Sequence, residues 1–373
     1  MDSVLTAMVE DRIGPGERSR LLLQTAKEYL HFDYALSLRS PVIALALALK
    51  ALNPESGRGV VISALSPRYY AGVIRDLGLR PLYCDVSPAF PCICRETVEQ
   101  ALAANSGGPA PLCVVLHHTL GFLPDTASIA ELGLPVIEDI SQSFSVPPGT
   151  DKPENQRQEA GAPKERARGV FTILGLEERD MLTAGGGALL CAHNRRDSAA
   201  LRNYGDLPPE YCLPDINAAL AVVQFKEARK NIEKRAALAQ AYVQSSLRTR
   251  HKRFIPLDDT EYNNFAFPLA LEAGLKDVLA YARKKDIILE SAFENTIAGS
   301  APSGSAPSGS ALTGIAPADS ALTGSALSGI SAGDALNCPV SHSLSLRTVL
   351  FPLYPRLRPA DAERVSKLIV TIP

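Results

Sequence analysis

Leu134-Pro135-Val136-Ile137-Glu138-Asp139-Ile140-Ser141-Gln142-Ser143 is the strongest local signal in the chain. An apolar run ends in two carboxylates, and Gln142 lies three residues beyond Asp139. A strand that is apolar without alternation is buried on both faces, as in a parallel sheet covered by helices. Ligands of open parallel sheets bind at the carboxyl ends of the strands. A carboxylate there can bind a metal, act as a base or pair with a cofactor's ring nitrogen. Asp139 can equally cap a following helix. On this segment alone those alternatives stay open.

Six further runs of the same kind surround it. They are 34–38, 59–63, 81–85, 112–117, 169–174 and 187–191, and with 134–138 they make seven candidate strands. Their composition predicts a mainly parallel sheet with helices on both faces. Pro41 to Leu52 is apolar nearly all round and reads as a buried helix, with Ser40 as its cap and Pro41 in its first turn. Pro214 to Phe225 shows one apolar helical face, and Lys226 to Tyr242 reads as a second, charged helix. Two segments differ. Residues 150–168 are polar and charged, an exposed insertion. Residues 299–333 form a degenerate five-residue repeat with few large apolar side chains, too few to offset the entropy of ordering them. The expected organisation is a large α/β domain over 1–228 and a smaller C-terminal domain over 229–373, interrupted by that repeat.

Composition narrows the function classes. The 373 residues are 46% apolar, enough for more than one core. With 38 basic against 40 acidic side chains, no excess positive charge points to nucleic acid. The N-terminus reads as neither signal peptide nor anchor, and no stretch reaches membrane-spanning length, so a cytoplasmic protein is expected. The seven cysteines are odd in number and scattered, which suits reduced thiols and offers no zinc pattern. Gly185-Gly186-Gly187 precedes a strand and is no dinucleotide fingerprint. His117 and His118 alternate across a strand, so no metal site is expected there.

Taken in order, the segments resemble the DegT/StrS sugar aminotransferases, pyridoxal phosphate (PLP) enzymes of fold type I. Glu138, Asp139 and Gln142 match that family's E-D-x-x-Q strand end. The resemblance implies that Asp139 pairs with the pyridine nitrogen and Gln142 lies against the ring. Tyr34 to Leu52 is similar to the family's strand, phosphate-binding turn and apolar helix, with Ser40 left at the turn. Gly78 to Val86 looks like its G-x-x-P-V-x-x-D strand. His118 to Asp125 looks like its H-x-x-G-x-x-x-D segment. Asn203-Tyr204-Gly205 and the stretch ending Gln224-Phe225 match the region near its dimer interface. The resemblance covers nearly the whole chain outside 150–168 and 299–333. It implies a homodimer that aminates nucleotide-linked keto-sugars for polysaccharide synthesis.

One departure is decisive for the chemistry. The family places a lysine a few residues before a Gly-Gly pair, and its amine forms the Schiff base with PLP. Counting back from the glycines puts Arg179 there. Counting forward from Thr172, the expected phosphate-contacting hydroxyl, puts Glu177 there. A carboxylate cannot form an imine, and a guanidinium stays protonated. No lysine occurs from Phe171 to Phe225. The family's ring-stacking aromatic aligns nearest Pro67, with Tyr69 and Tyr70 close enough to substitute. The expectation is a divergent family member that cannot carry out ordinary transamination. It would hold PLP or pyridoxamine phosphate (PMP) without a covalent link, through Asp139, Gln142, Ser40, Thr172 and Tyr69. An active enzyme with a non-standard site and a non-catalytic partner subunit are the alternatives.

Overall fold

The computed structural model describes residues 14–147, 168–256, 262–272, 274–300 and 337–373, with positions 4, 6 and 9. The insertion expected at 150–168 and the repeat at 299–333 lie outside the described residues, apart from their end positions.

The apolar runs form a seven-stranded sheet. In chain order, helix α1 (Glu17–Leu30) leads to β1 (Tyr34–Leu38), α2 (Pro41–Ala51), β2 (Gly59–Ser63), α3 (Tyr69–Asp76), β3 (Arg80–Cys84) and α4 (Arg95–Ala104). Then come β4 (Cys113–His117), α5 (Thr126–Ala130), β5 (Val136–Asp139), β6 (Phe171–Gly175), β7 (Ala188–Ala192) and α6 (Arg195–Arg202). The strand order is β1-β7-β6-β5-β4-β2-β3. Neighbours from β3 to β6 pair in parallel, and β7 runs antiparallel to both β6 and β1. The sheet is therefore mainly parallel, as its unalternating apolar strands require. Strands β2, β4, β5, β6 and β7 are buried at every residue. Strands β1 and β2 fall where the sequence placed them, and the ends of the other five differ by up to two residues.

Ser40 caps α2 by accepting the Ile43 N–H at 3.4 Å, with Pro41 in the first turn. The two helices expected over 214–242 are one helix, α7 (Asp215–Ser246), of 32 residues. The segment contains neither Pro nor Gly, so nothing in it breaks the backbone ladder. The boundary expected at residue 228 falls inside this helix, at buried Ala228.

The far half of α7 packs on a second, antiparallel sheet. Its strands are β8 (Lys252–Arg253), β9 (Phe267–Ala270), β10 (Glu290–Ser291) and β11 (Thr348–Phe351), in the order β10-β11-β9-β8. Helices α8 (Leu275–Arg283) and α10 (Pro359–Thr371) bury Val278, Val365 and Ile369 in the same core as Tyr242 of α7.

The chain segment that returns after residue 336 packs Cys338 and Leu344 against the large sheet and is hydrogen-bonded to it through Asp85. Asp85, just past β3, accepts the Val340 and Ser341 N–H groups at 2.9 and 2.7 Å and the Ser341 hydroxyl at 2.5 Å. It thereby caps α9 (Pro339–Arg347) from across the molecule. Asp85→Ala is expected to lower stability by about 2 kcal/mol. Urea denaturation at neutral pH checks this, and a change of a few tenths would show the cap to be dispensable.

Candidate functional site

The carboxyl rim of the large sheet gathers four strand ends at one place. Strand β4 ends in His117 and β5 ends in Asp139, and the two residues are register partners. Strand β6 ends in Gly175, and the chain beyond it turns through Glu177, Glu178, Arg179 and Asp180. Beyond β2, Tyr69 and Tyr70 open helix α3. A cavity of about 840 Å³ lies between this rim and the second sheet. Leu65, His117, Gln142 and Asp180 face it from the rim, and Glu290 and Phe351 from the second sheet.

Asp139 lies beneath that cavity and is not part of its wall. Only 2% of it is exposed. Its Oδ1 accepts the Ser141 N–H at 3.0 Å and the Ser141 hydroxyl, and its Oδ2 accepts the Tyr70 hydroxyl. Asp139 caps no helix, since residues 140–147 form turns and irregular backbone. Ser141 is fixed in turn, because its Oγ accepts the Gly175 N–H at 2.7 Å. Tyr70 is fully buried, with its ring edge-on to Tyr69 at 5.0 Å and to His117 at 6.1 Å. Burial, then the Asp139 charge, keeps the Tyr70 hydroxyl protonated well above its ordinary range. Burial and the charges of Asp139, Asp180 and Glu177 do the same to Tyr69.

Asp180 reaches the same spot from the turn after β6. It accepts the Glu177 N–H at 2.8 Å. Gly175 makes the approach possible: a Cβ there would lie 2.3 Å from the Asp180 carboxylate and 2.8 Å from Ser141 Oγ. Burial pushes Asp180 up to about 7. The Glu177 N–H opposes the rise, and the Asp139 and Glu177 charges add to it. Burial also raises Glu177, partly offset by the Gly187 N–H. His117 is driven down to about 4, chiefly by burial, so its ring is neutral at pH 7. It lies 3.0 Å from the Thr119 hydroxyl.

The structure brings together some of the sequence-derived candidates and separates others. Asp139 and Tyr69 belong to one cluster. Gln142 is on the cavity wall, its Oε1 accepting the Leu120 N–H at 2.7 Å. Glu177 is half-buried beside Gly186 and Gly187. Arg179 points across the cavity to Glu290 at 3.3 Å. Thr172 was expected to meet a phosphate, but it sits early in β6 opposite Glu138 and its hydroxyl meets His193 Nε2 at 2.8 Å. That is three residues short of the strand's carboxyl end, and in this structure the hydroxyl's partner is His193. Ser40 spends its Oγ on the helix cap and is not on the cavity wall. Sequence reasoning missed Ser141, Asp180 and His117 and gave Tyr70 only a stacking role. The available signal was Gly175, a glycine inside a buried strand, which marks a close approach.

Comparison with known proteins agrees with the resemblance read from the sequence. The sequence model of the DegT/DnrJ/EryC1/StrS aminotransferase family matches residues 1–150. The chain is 25% identical over 260 residues to L-glutamine:2-deoxy-scyllo-inosose aminotransferase of Streptomyces lividus, covering 62% of this chain and 58% of that protein. It is 30% identical over 145 residues to dTDP-4-dehydro-2,3,6-trideoxy-D-glucose 4-aminotransferase of Saccharopolyspora spinosa, covering 37% and 36%. These matches span less than two thirds of either relative's length. Among solved structures, the PMP form of Spr1654 from Streptococcus pneumoniae superposes with a TM-score of 0.77 at 14% identity, over 99% of this chain and 93% of that one. At that identity the likeness shows the fold, that of the fold-type-I PLP enzymes.

Proposed function

We propose that this chain, whose first 150 residues match the DegT/DnrJ/EryC1/StrS family and whose described residues share the fold of a sugar aminotransferase, is a divergent member that cannot run ordinary transamination. One observation carries the reading: there is no lysine from Phe171 to Phe225, and none on the described wall of the cavity. The two residues at the lysine's place are an acid beside the glycines and an arginine paired with Glu290. Lys226 and Lys230 are on α7, outside the cavity wall, and Lys230 pairs with Glu227. That disfavours an active enzyme with a displaced amine.

PLP or PMP, held without a covalent bond, is the cofactor this reading assigns. Asp139 offers a buried carboxylate at a strand end, which suits a protonated ring nitrogen. It is available only if the Tyr70 hydroxyl gives up Oδ2, so the residues fit the group with Tyr70 displaced. The bound group would supply an electron-accepting ring and, in its amine form, a nitrogen. Around it Gln142 is held rigid by Leu120 and can orient a ligand. Asp180 on the wall can hold or release a proton at its carboxyl near neutral pH. Neutral His117 can accept one only under acid conditions. The substrate class is a keto-sugar, nucleotide-linked by the family resemblance, and the assembly is a homodimer. A non-catalytic partner of an active relative is the second reading, favoured by the closed position of Asp139.

The test is to add PLP to the purified protein, follow its absorbance, reduce with borohydride and search the peptides for modified lysine. Reversible binding, seen also as a thermal shift, with no modified lysine is the expected result. A lysine trapped in a peptide that lines the cavity overturns the reading. No binding at all favours the partner subunit.

A further inference from the structure

The acceptor that a cofactor ring would use is already occupied from within the chain, and we infer that Tyr70 gates the cofactor site by holding Asp139. The inference rests on the proposed PLP reading and concerns one hydrogen bond. The Tyr70 hydroxyl donates to Asp139 Oδ2, while Ser141 donates twice to Oδ1. Both oxygens are thus engaged, and water is excluded: Asp139 is 2% exposed and Tyr70 is fully buried. The cavity wall includes His117, the register partner of Asp139, together with Gln142 and Asp180. Neither Asp139 nor Tyr70 is on the cavity wall, so a ligand entering the cavity meets a carboxylate whose Oδ2 is already taken by the Tyr70 hydroxyl.

A ring N–H and a phenol O–H compete for the same acceptor. A binding-competent state with Tyr70 turned away is a minority of the population, and apparent affinity falls by that fraction. The ring packing of Tyr70 on Tyr69 and His117 supports the closed state, and the bond to a buried carboxylate adds to it. Tyr70→Phe removes the hydroxyl and keeps the ring. Tyr70→Ala also opens the space.

Equilibrium binding of PLP and of PMP, by dialysis and by quenching of tyrosine fluorescence, tests the gate without reading activity. Tyr70→Phe is expected to bind about tenfold to a hundredfold more tightly than the natural chain, the worth of a hydrogen bond to a charged group. Adding Asp139→Asn to Tyr70→Phe should remove that gain. Far-ultraviolet circular dichroism on each variant confirms folding, and Tyr70→Ala provides a second variant should Tyr70→Phe misfold. Equal or weaker binding by the folded variants, with the natural chain binding, overturns the gate and leaves the cofactor reading intact. Absence of binding in the natural chain and in both variants overturns both.

Discussion

Replacing Glu138 by glutamine is expected to cost about 3 kcal/mol of stability at neutral pH, and the cost should shrink in acid. Glu138 is 4% exposed at the centre of the sheet. Its Oε1 accepts the Thr126 hydroxyl at 2.5 Å and lies 3.4 Å from His118 Nε2, and its Oε2 accepts the Gly169 N–H at 3.0 Å. His118 Nδ1 meets Ser143 Oγ at 2.6 Å. One carboxylate therefore joins α5, the end of β4, the turn after β5 and the entry to β6. Burial pushes its titration upward, but the His118 ring, the Thr126 hydroxyl and the Gly169 N–H together outweigh it and hold it at about 2. The unfolded chain titrates near its ordinary 4.5. Stability from this group is therefore complete above about 4.5 and is lost as pH falls from there towards 2. At about 1.4 kcal/mol per pH unit the window is worth ~3 kcal/mol. Denaturant midpoints at pH 7 and pH 3 measure it. A difference between the natural chain and the variant that is as large at pH 3 as at pH 7 would show that the charge is not the cause.

Much of the frame was legible because its physics is local. Strands buried on both faces must be apolar, and several of the seven runs are rich in Val, Ile and Leu without polar alternation, which marked them as strands. Their ends were less legible, because an apolar run does not record where the ladder stops. The run from Leu134 to Glu138, for instance, begins two residues before β5 and stops one short of its end at Asp139. The junction at Phe225-Lys226 looked like a boundary because the pattern changes there from an apolar face to a charged one. The backbone takes no notice of that change when no Pro or Gly accompanies it, and α7 runs on.

The site divides along the same line. The Asp139 and Gln142 pair could be seen because strand-end carboxylates are chemically conspicuous. The partner of Asp139 could not, since Tyr70 lies 69 residues earlier and is brought in by the path from β2 to α3. In the run Glu177-Glu178-Arg179-Asp180, the sequence drew attention only to Glu177 and Arg179, as occupants of the lysine position. Its last carboxylate, half-buried, approaches the Asp139 cluster over Gly175, where any side chain would stand in its way.

That carboxylate gives the second large effect, of opposite sign. Asp180→Asn is expected to stabilise the protein by about 2–4 kcal/mol at pH 8 and to leave it nearly unchanged at pH 4. Burial is the main cause: it lifts Asp180 from 3.8 to about 7, the Glu177 N–H opposes it, and the neighbouring Asp139 and Glu177 charges reinforce it. Between those two values the unfolded chain gives up its proton while the folded chain keeps it. Folded stability therefore falls as pH rises across the window, and the penalty is complete above about 7. The full window is worth ~4 kcal/mol, reduced because the group retains some exposure to water. Asparagine keeps an oxygen for the Glu177 N–H, 2.8 Å away in the natural chain, and carries no charge to desolvate. The two replacements act within one small region and separate by direction: glutamine at 138 removes a charge that the fold supports, and asparagine at 180 removes one that it resists. Thermal melts of the Asp180 variant at pH 4 and pH 8 decide the matter, and a gain that is the same at both would mean that something other than the buried charge had been relieved.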